Sequence, residues 1–146
     1  MVERTRAFSR AWVAPLLVGL AFGCTKTMAT IKLPKGVGST EQIAFNLAPH
    51  ASVSFGVHAS KYSYSGGNAI MLDGELLKGG EVVARMSCEG FDLEGGAGSG
   101  CGATHYNSSC TMKAPASGAD GIRIATRMQN PNSSATFEGV EIRVEQ

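Results

Sequence analysis

The 146-residue chain has no apolar run long enough to cross a bilayer. Its one extended uncharged stretch, AWVAPLLVGLAF at residues 11–22, has 12 residues, against the roughly 17–25 a membrane-spanning helix requires. Metal-ligand spacings are missing too. There is no C-x-x-C or H-x-x-x-H, and His50, His58 and His105 are scattered, whereas zinc needs three or four converging ligands. No G-x-S-x-G nucleophile elbow and no D-x-D-x-D-G calcium loop occurs. Asp73, Glu75, Asp92 and Glu94 could still supply oxygen to calcium at an irregular loop site. No 20–50-residue repeat and no long amphipathic helix is visible. The sole tryptophan, Trp12, sits inside the apolar stretch.

What is present begins with a bipartite N-terminus. MVERTRAFSR carries Arg4, Arg6 and Arg10 against Glu3. A basic start, a short apolar run and small residues at its end read as a secretory signal peptide. Ala21 and Gly23 satisfy the small-x-small rule, placing cleavage after Gly23. Residues 24–146 then carry 10 basic against 11 acidic residues and no tryptophan. That balance leaves no basic patch to recruit nucleic acid.

The stretch GLAFGCTK adds a cysteine directly after the cleavage point. Here the chain resembles bacterial lipoprotein precursors, whose lipobox cysteine receives a diacylglyceryl group. The resemblance covers the first two dozen residues and implies lipidation at Cys24. The usual leucine three places before the cysteine is Ala21 here, with Leu20 one place further back. Ordinary signal peptidase could therefore cut the same bond. Thr25 stands where inner-membrane retention in many Gram-negative lipoproteins is signalled by Asp, so the resemblance implies an outer-membrane or cell-surface location. TKTMATIKLPKGVGST, residues 25–40, is polar and punctuated and reads as a flexible tether, with a first strand over residues 28–33 as the alternative.

The remainder alternates with period two. Val53, Phe55 and Val57 oppose Ser54, Gly56 and His58; Ile122, Ile124, Thr126 and Met128 oppose Arg123, Ala125 and Arg127; Val140, Ile142 and Val144 oppose Glu141, Arg143 and Glu145. Such alternation predicts half-buried strands. Two apolar runs flanking Gly79-Gly80 predict a tight hairpin. NPNSS at residues 130–134 predicts a turn, and Gly139 a bulge. Frequent strands without helices predict an all-β domain, an antiparallel β-sandwich or jelly roll. The expected organisation is a signal peptide over residues 1–23, a tether over 24–40 and a sandwich over 41–146.

Four cysteines, Cys24, Cys88, Cys101 and Cys110, meet an oxidising compartment after export. Lipid on Cys24 leaves three and so one unpaired; plain cleavage leaves four and allows two bridges. Cys88 shares the face of Val82, Ala84 and Met86, where a buried thiol can stay reduced. Cys101 lies in EGGAGSGCGATHY, which reads as a mobile loop. The expected bridge is therefore Cys101–Cys110, ahead of Cys88–Cys110. Gly98, Gly100 and Ala103 match G-x-G-x-x-A spacing, but no βαβ unit follows to make it a nucleotide site. Cys101 and His105 are four residues apart, a spacing that could bring a base to a thiol. Tyr62 and Tyr64 share one face of an extended segment and could stack on a sugar or a partner chain. Together these features predict a membrane-anchored extracytoplasmic lipoprotein with a binding or structural domain, acting on an unknown protein or glycan without a cofactor. A freely secreted binding protein is the second reading and a small hydrolase the third.

Overall fold

A computed structural model describes residues 26–93, 97–132 and 134–146. The expected signal peptide, residues 1–23, together with Cys24 and Glu94, lies outside the described residues. Nine strands and no helix make up the described chain: β1 (Thr27–Lys32), β2 (Thr40–Leu47), β3 (Ser52–Ser65), β4 (Asn68–Lys78), β5 (Glu81–Leu93), β6 (Ala97–Lys113), β7 (Ala119–Met128), β8 (Thr136–Glu138) and β9 (Glu141–Glu145).

The strands form two antiparallel sheets, ordered β1-β9-β3-β6 and β2-β7-β4-β5, with β8 added beside β3. The pairings nest: β4 with β5, β3 with β6, β2 with β7 and β1 with β9. A single long hairpin wound into two layers has this order, which is the jelly-roll form of the β-sandwich.

Alternation builds the core. Val53, Phe55, Val57 and Ala59 of β3, and Ile142 and Val144 of β9, are at most 1% exposed and face Leu72 and Leu76 of β4 and Ile122 and Ile124 of β7. Apolar area buried in this way contributes about 25 cal/mol per Å². The three buried polar side chains among the described residues are bonded. Asn68 donates to the Asn130 carbonyl and accepts from the Asn130 amide, Thr126 bonds to Ser39 and Gly38, and Ser39 donates to the Gly36 carbonyl. The β4–β5 hairpin turns at Gly79 (φ 57°) and Gly80 (φ 86°), between paired Lys78 and Glu81. Both central residues of a type I′ turn need positive φ, which glycine supplies without strain.

Three expectations are corrected. Within the supposed tether Thr27–Lys32 is β1, close to the alternative first strand over residues 28–33: it pairs with β9, and Ile31 is 2% exposed. The supposed mobile loop around Cys101 is the greater part of β6. The bridge is Cys88–Cys110, with a Cα separation of 5.4 Å, and Cys101 is free and exposed. Extended chain advances about 3.3 Å per residue, so β6 carries Cys101 and Cys110 well beyond the roughly 7 Å Cα limit of a disulfide. Cys88 does face inward with Ala84 and Met86, but it meets Cys110 there instead of remaining a thiol. The bridge joins β5 and β6, the edge strands of opposite sheets, and staples one open side of the sandwich.

Two outcomes follow for stability. Truncation after Asn130 deletes β8 and β9, and β9 is an inner strand between β1 and β3. The truncated chain should fail to give a cooperative unfolding transition by circular dichroism. Reducing Cys88–Cys110, whose sequence separation is 22, should lower stability by about 3 kcal/mol in the chain-entropy model. Denaturant titration with and without reductant measures this; equal midpoints would contradict it.

Candidate functional site

The β3–β6 ladder is built around glycine. Tyr62 pairs with Gly100, Tyr64 with Gly98, and Tyr106 with Gly56. These are all three tyrosines of the chain. Each ring lies across its partner glycine. A Cβ on Gly100 would fall 2.5 Å from the Tyr62 hydroxyl, one on Gly98 2.9 Å from the Tyr64 ring, and one on Gly56 would overlap Tyr106. Glycine in a strand weakens it unless a neighbouring side chain covers the gap, and aromatic cover of this kind also pins register.

The tyrosines expected to bind do share one face. Their rings are 6.3 Å apart with an interplanar angle of 20°. That face turns toward the core. Both residues are half-buried, Tyr62 meets Phe91 edge-on at 5.3 Å, and Phe137 and His105 complete the cluster around Phe91. Gly100, Gly98 and Phe91 each take up part of the Tyr62 and Tyr64 rings, and Tyr62 also lines a cleft on the outer face. Burial along β3 alternates through Ala59 and changes phase at Ser60 and Lys61, so the even-numbered tyrosines face inward.

The same change of phase sets what faces out. Cys101 pairs with Lys61, which pairs with Glu138; Ser99 pairs with Ser63, which pairs with Thr136. These six residues, with Tyr62 and Gly100, line a cleft of about 460 Å³ on the outer face. Lys61 Nζ is 3.7 Å from Glu138 Oε2. The cleft offers hydroxyls, one ion pair and one thiol, a set suited to hydrogen-bonding a polar ligand. The Cys101–His105 pairing does not form. His105 lies opposite buried Val57 and stacks on Phe91 at 3.8 Å, while Cys101 is on the outer face. Gly102 between them has φ 66°. Among the described residues no three His, Cys, Asp or Glu side chains gather to hold a metal.

A second depression, about 470 Å³, lies on the outer face of the other sheet. Glu75 accepts from Arg85 Nε at 3.0 Å and from Arg123; Asp73 accepts from Ser87 at 2.6 Å and from Arg127 at 3.1 Å. Arginine thus occupies the carboxylates considered for calcium at these two positions. The Arg123 guanidinium, and then that of Arg85, hold the Glu75 carboxyl below its ordinary range. Tyr106 is the exposed tyrosine, at 51%. It donates to Glu145 Oε1 at 2.6 Å; partial burial, followed by that bond, raises its phenol above the ordinary value.

No family model and no curated protein matches the chain. It is similar to the crystal structure of the infectious bursal disease virus VP2 subviral particle, at 14% identity, over 80% of this chain and 29% of that one, with a TM-score of 0.40. It is also similar to the structure of the Gx strain of that virus, at 15% identity, over 80% and 30%, with a TM-score of 0.33. A third similarity is to the crystal structure of the T13 particle of the same virus, at 13% identity, over 80% and 28%, with a TM-score of 0.34. The match thus spans under a third of each of those chains.

Two tests address these sites. Gly100→Val should destabilise the domain by about 1–3 kcal/mol through overpacking against Tyr62, whereas Ser99→Ala on the opposite face should change stability by about 0.5 kcal/mol or less. Thermal unfolding reports both. The depressed Glu75 pKa favours the folded state above the unfolded-state pKa, and the gain is lost as pH falls through the folded value. Glu75→Gln should therefore cost up to about 1 kcal/mol near neutrality, since the pair is on the surface, and the difference from wild type should begin to shrink below the ordinary carboxylate pKa of about 4.3 and vanish only as pH falls through the lower folded value. Urea titrations at several pH values check this.

Proposed function

We propose that this protein is an extracytoplasmic lipoprotein, anchored through Cys24, whose jelly-roll domain has a binding or structural role. The observation that carries the reading is the covalent state of the domain. A disulfide between two sheets supports an oxidising compartment, and the N-terminal signal supplies a route there.

Cysteine parity supports the anchor over plain secretion. With Cys88 and Cys110 paired, two intramolecular bridges would require Cys24 to meet Cys101. Three Cα steps separate Cys24 from Thr27, a reach of at most about 11 Å. Thr27 pairs with Glu145, which pairs with Ser54, while Cys101 pairs with Lys61, seven residues further along β3. At about 3.3 Å per residue that interval is roughly 23 Å. A thioether-linked lipid leaves Cys101 as the unpaired thiol without this conflict. The partner in this reading is a polar extracytoplasmic protein or glycan, and the hydroxyl-rich cleft at Lys61 and Glu138 is where it would be held. Free secretion is the second reading, supported by Ala21 and Gly23 before the cleavage point.

Expression with the native leader tests the anchor. Wild type should partition into detergent and carry the added acyl mass, and Cys24→Ser should lose both. Aqueous partition of both proteins with normal cleavage would refute the lipoprotein reading.

A further inference from the structure

The start of β1 fixes which end of the sandwich lies nearest Cys24. β1 and β3 begin at that end, and β9 and β6 finish there: Thr27 pairs with Glu145, Glu145 with Ser54, and Ser52 with Lys113. Only Thr25 and Lys26 stand between Cys24 and β1. Lys26 is itself tied down, exchanging backbone hydrogen bonds with Gln146. The polar headgroup layer is about 5–8 Å deep on each side of the hydrocarbon core, similar to the reach of so short a link.

The exposed apolar side chains gather at the same end. Among the described residues the large hydrophobics left exposed are Met28 at 44% and Tyr106 at 51%. Met28 sits where the β1–β9 register shifts, beside the Thr27–Glu145 rung. Tyr106 donates to Glu145 Oε1 at 2.6 Å, and Thr27 donates to the same oxygen at 3.4 Å. Exposed apolar residues found singly need no explanation. Two that flank one rung, a few residues from an acylation site, do. Tyrosine favours the membrane–water interface, where its ring is half apolar and its hydroxyl remains hydrated.

We propose that the β1–β9 end of the domain, through Met28 and Tyr106, is a bilayer-contacting surface that seats the sandwich directly on the phospholipid interface. This inference rests on lipidation at Cys24. It sets an orientation: the cleft at Lys61, Glu138 and Cys101, seven residues beyond the Ser54–Glu145 rung along β3, is held distal to the membrane.

The cleaved chain has no tryptophan, so Met28→Trp introduces a single reporter. The processed, full-length variant is reconstituted in vesicles of phosphatidylethanolamine and phosphatidylglycerol, with and without brominated acyl chains. Cys101, the free exposed thiol, carries a bimane label in a parallel sample. The indole emission of the Met28→Trp variant should shift to the blue and be quenched by the brominated lipid, while bimane at Cys101 should be unquenched. A lipidated variant with its indole unquenched would overturn the seating and leave the anchor standing. A protein whose mass lacks the lipid would overturn both. Quenching of bimane at Cys101 equal to that of the indole would overturn the orientation. Should Met28→Trp disturb β1, hydroxyl-radical footprinting of wild type serves instead: Met28 oxidation should fall on vesicles relative to detergent, and unchanged oxidation would overturn the proposal.

Discussion

The pairing of three tyrosines with three glycines across β3 and β6 is the constraint on which the rest of the domain depends. A tyrosine ring lying flat over a glycine excludes a slip of one residue, which would place it over Ser99, Cys101 or another residue with a Cβ. A slip of two keeps glycine opposite Tyr62 and Tyr64 and is excluded by Tyr106, which would leave Gly56 for Ser54 or His58. Register then decides facing. Opposite Val57, His105 goes to the core and stacks on Phe91; opposite Lys61, Cys101 goes to the surface. Further along, the register shift between Ser54 and Gly56 accommodates Asn107 to Cys110 opposite Phe55 alone, with the Asn107 side chain accepting from the Ser109 amide at 3.0 Å and hydroxyl at 2.8 Å. At the last residue of that bulge Cys110 turns inward and meets Cys88. The disulfide is thus a consequence of the tyrosine–glycine ladder as much as a brace for it.

Residues buried on one face announced themselves in the sequence. Val140, Ile142 and Val144 are 3% exposed or less, and their charged alternates face out. Val53, Phe55 and Val57 behave alike, and the Gly79-Gly80 turn has the positive φ angles its glycines allow. β6 was not legible because its inward and covered positions include glycine, which has no hydrophobicity to alternate. The available signal was the period-two spacing of Gly98 and Gly100 set against that of Tyr62 and Tyr64, a pattern that appears only when two distant segments are read together. β1 was ambiguous for a related reason. It is an edge strand with Ile31 as its one deeply buried side chain, so a six-residue run that mixes Thr27, Thr30 and Lys32 with Met28, Ala29 and Ile31 resembles a tether.

The candidate sites were less legible than the fold. Spacing placed Tyr62 and Tyr64 on one face but not which face. Spacing likewise put Cys101 near His105, yet Gly102 at φ 66° between them accompanies their separation onto opposite sides. Asp73 and Glu75 looked available to a cation, and the neighbouring strands bring Arg85, Arg123 and Arg127 to them instead. In each case the deciding partner lies on another strand, and a single sequence does not reveal which strands become neighbours. Tyr106, the exposed tyrosine beside β1 and β9, was missed for that reason.

Peptide mapping of the native protein, alkylated before and digested without reduction, tests the β3–β6 register most directly. The register predicts a disulfide-linked peptide pair containing Cys88 and Cys110, with Cys101 fully alkylated on the native fold. A bridge that includes Cys101 would require a different register between β3 and β6, and would contradict the ladder, the facing of the tyrosines and the position of the outer cleft together.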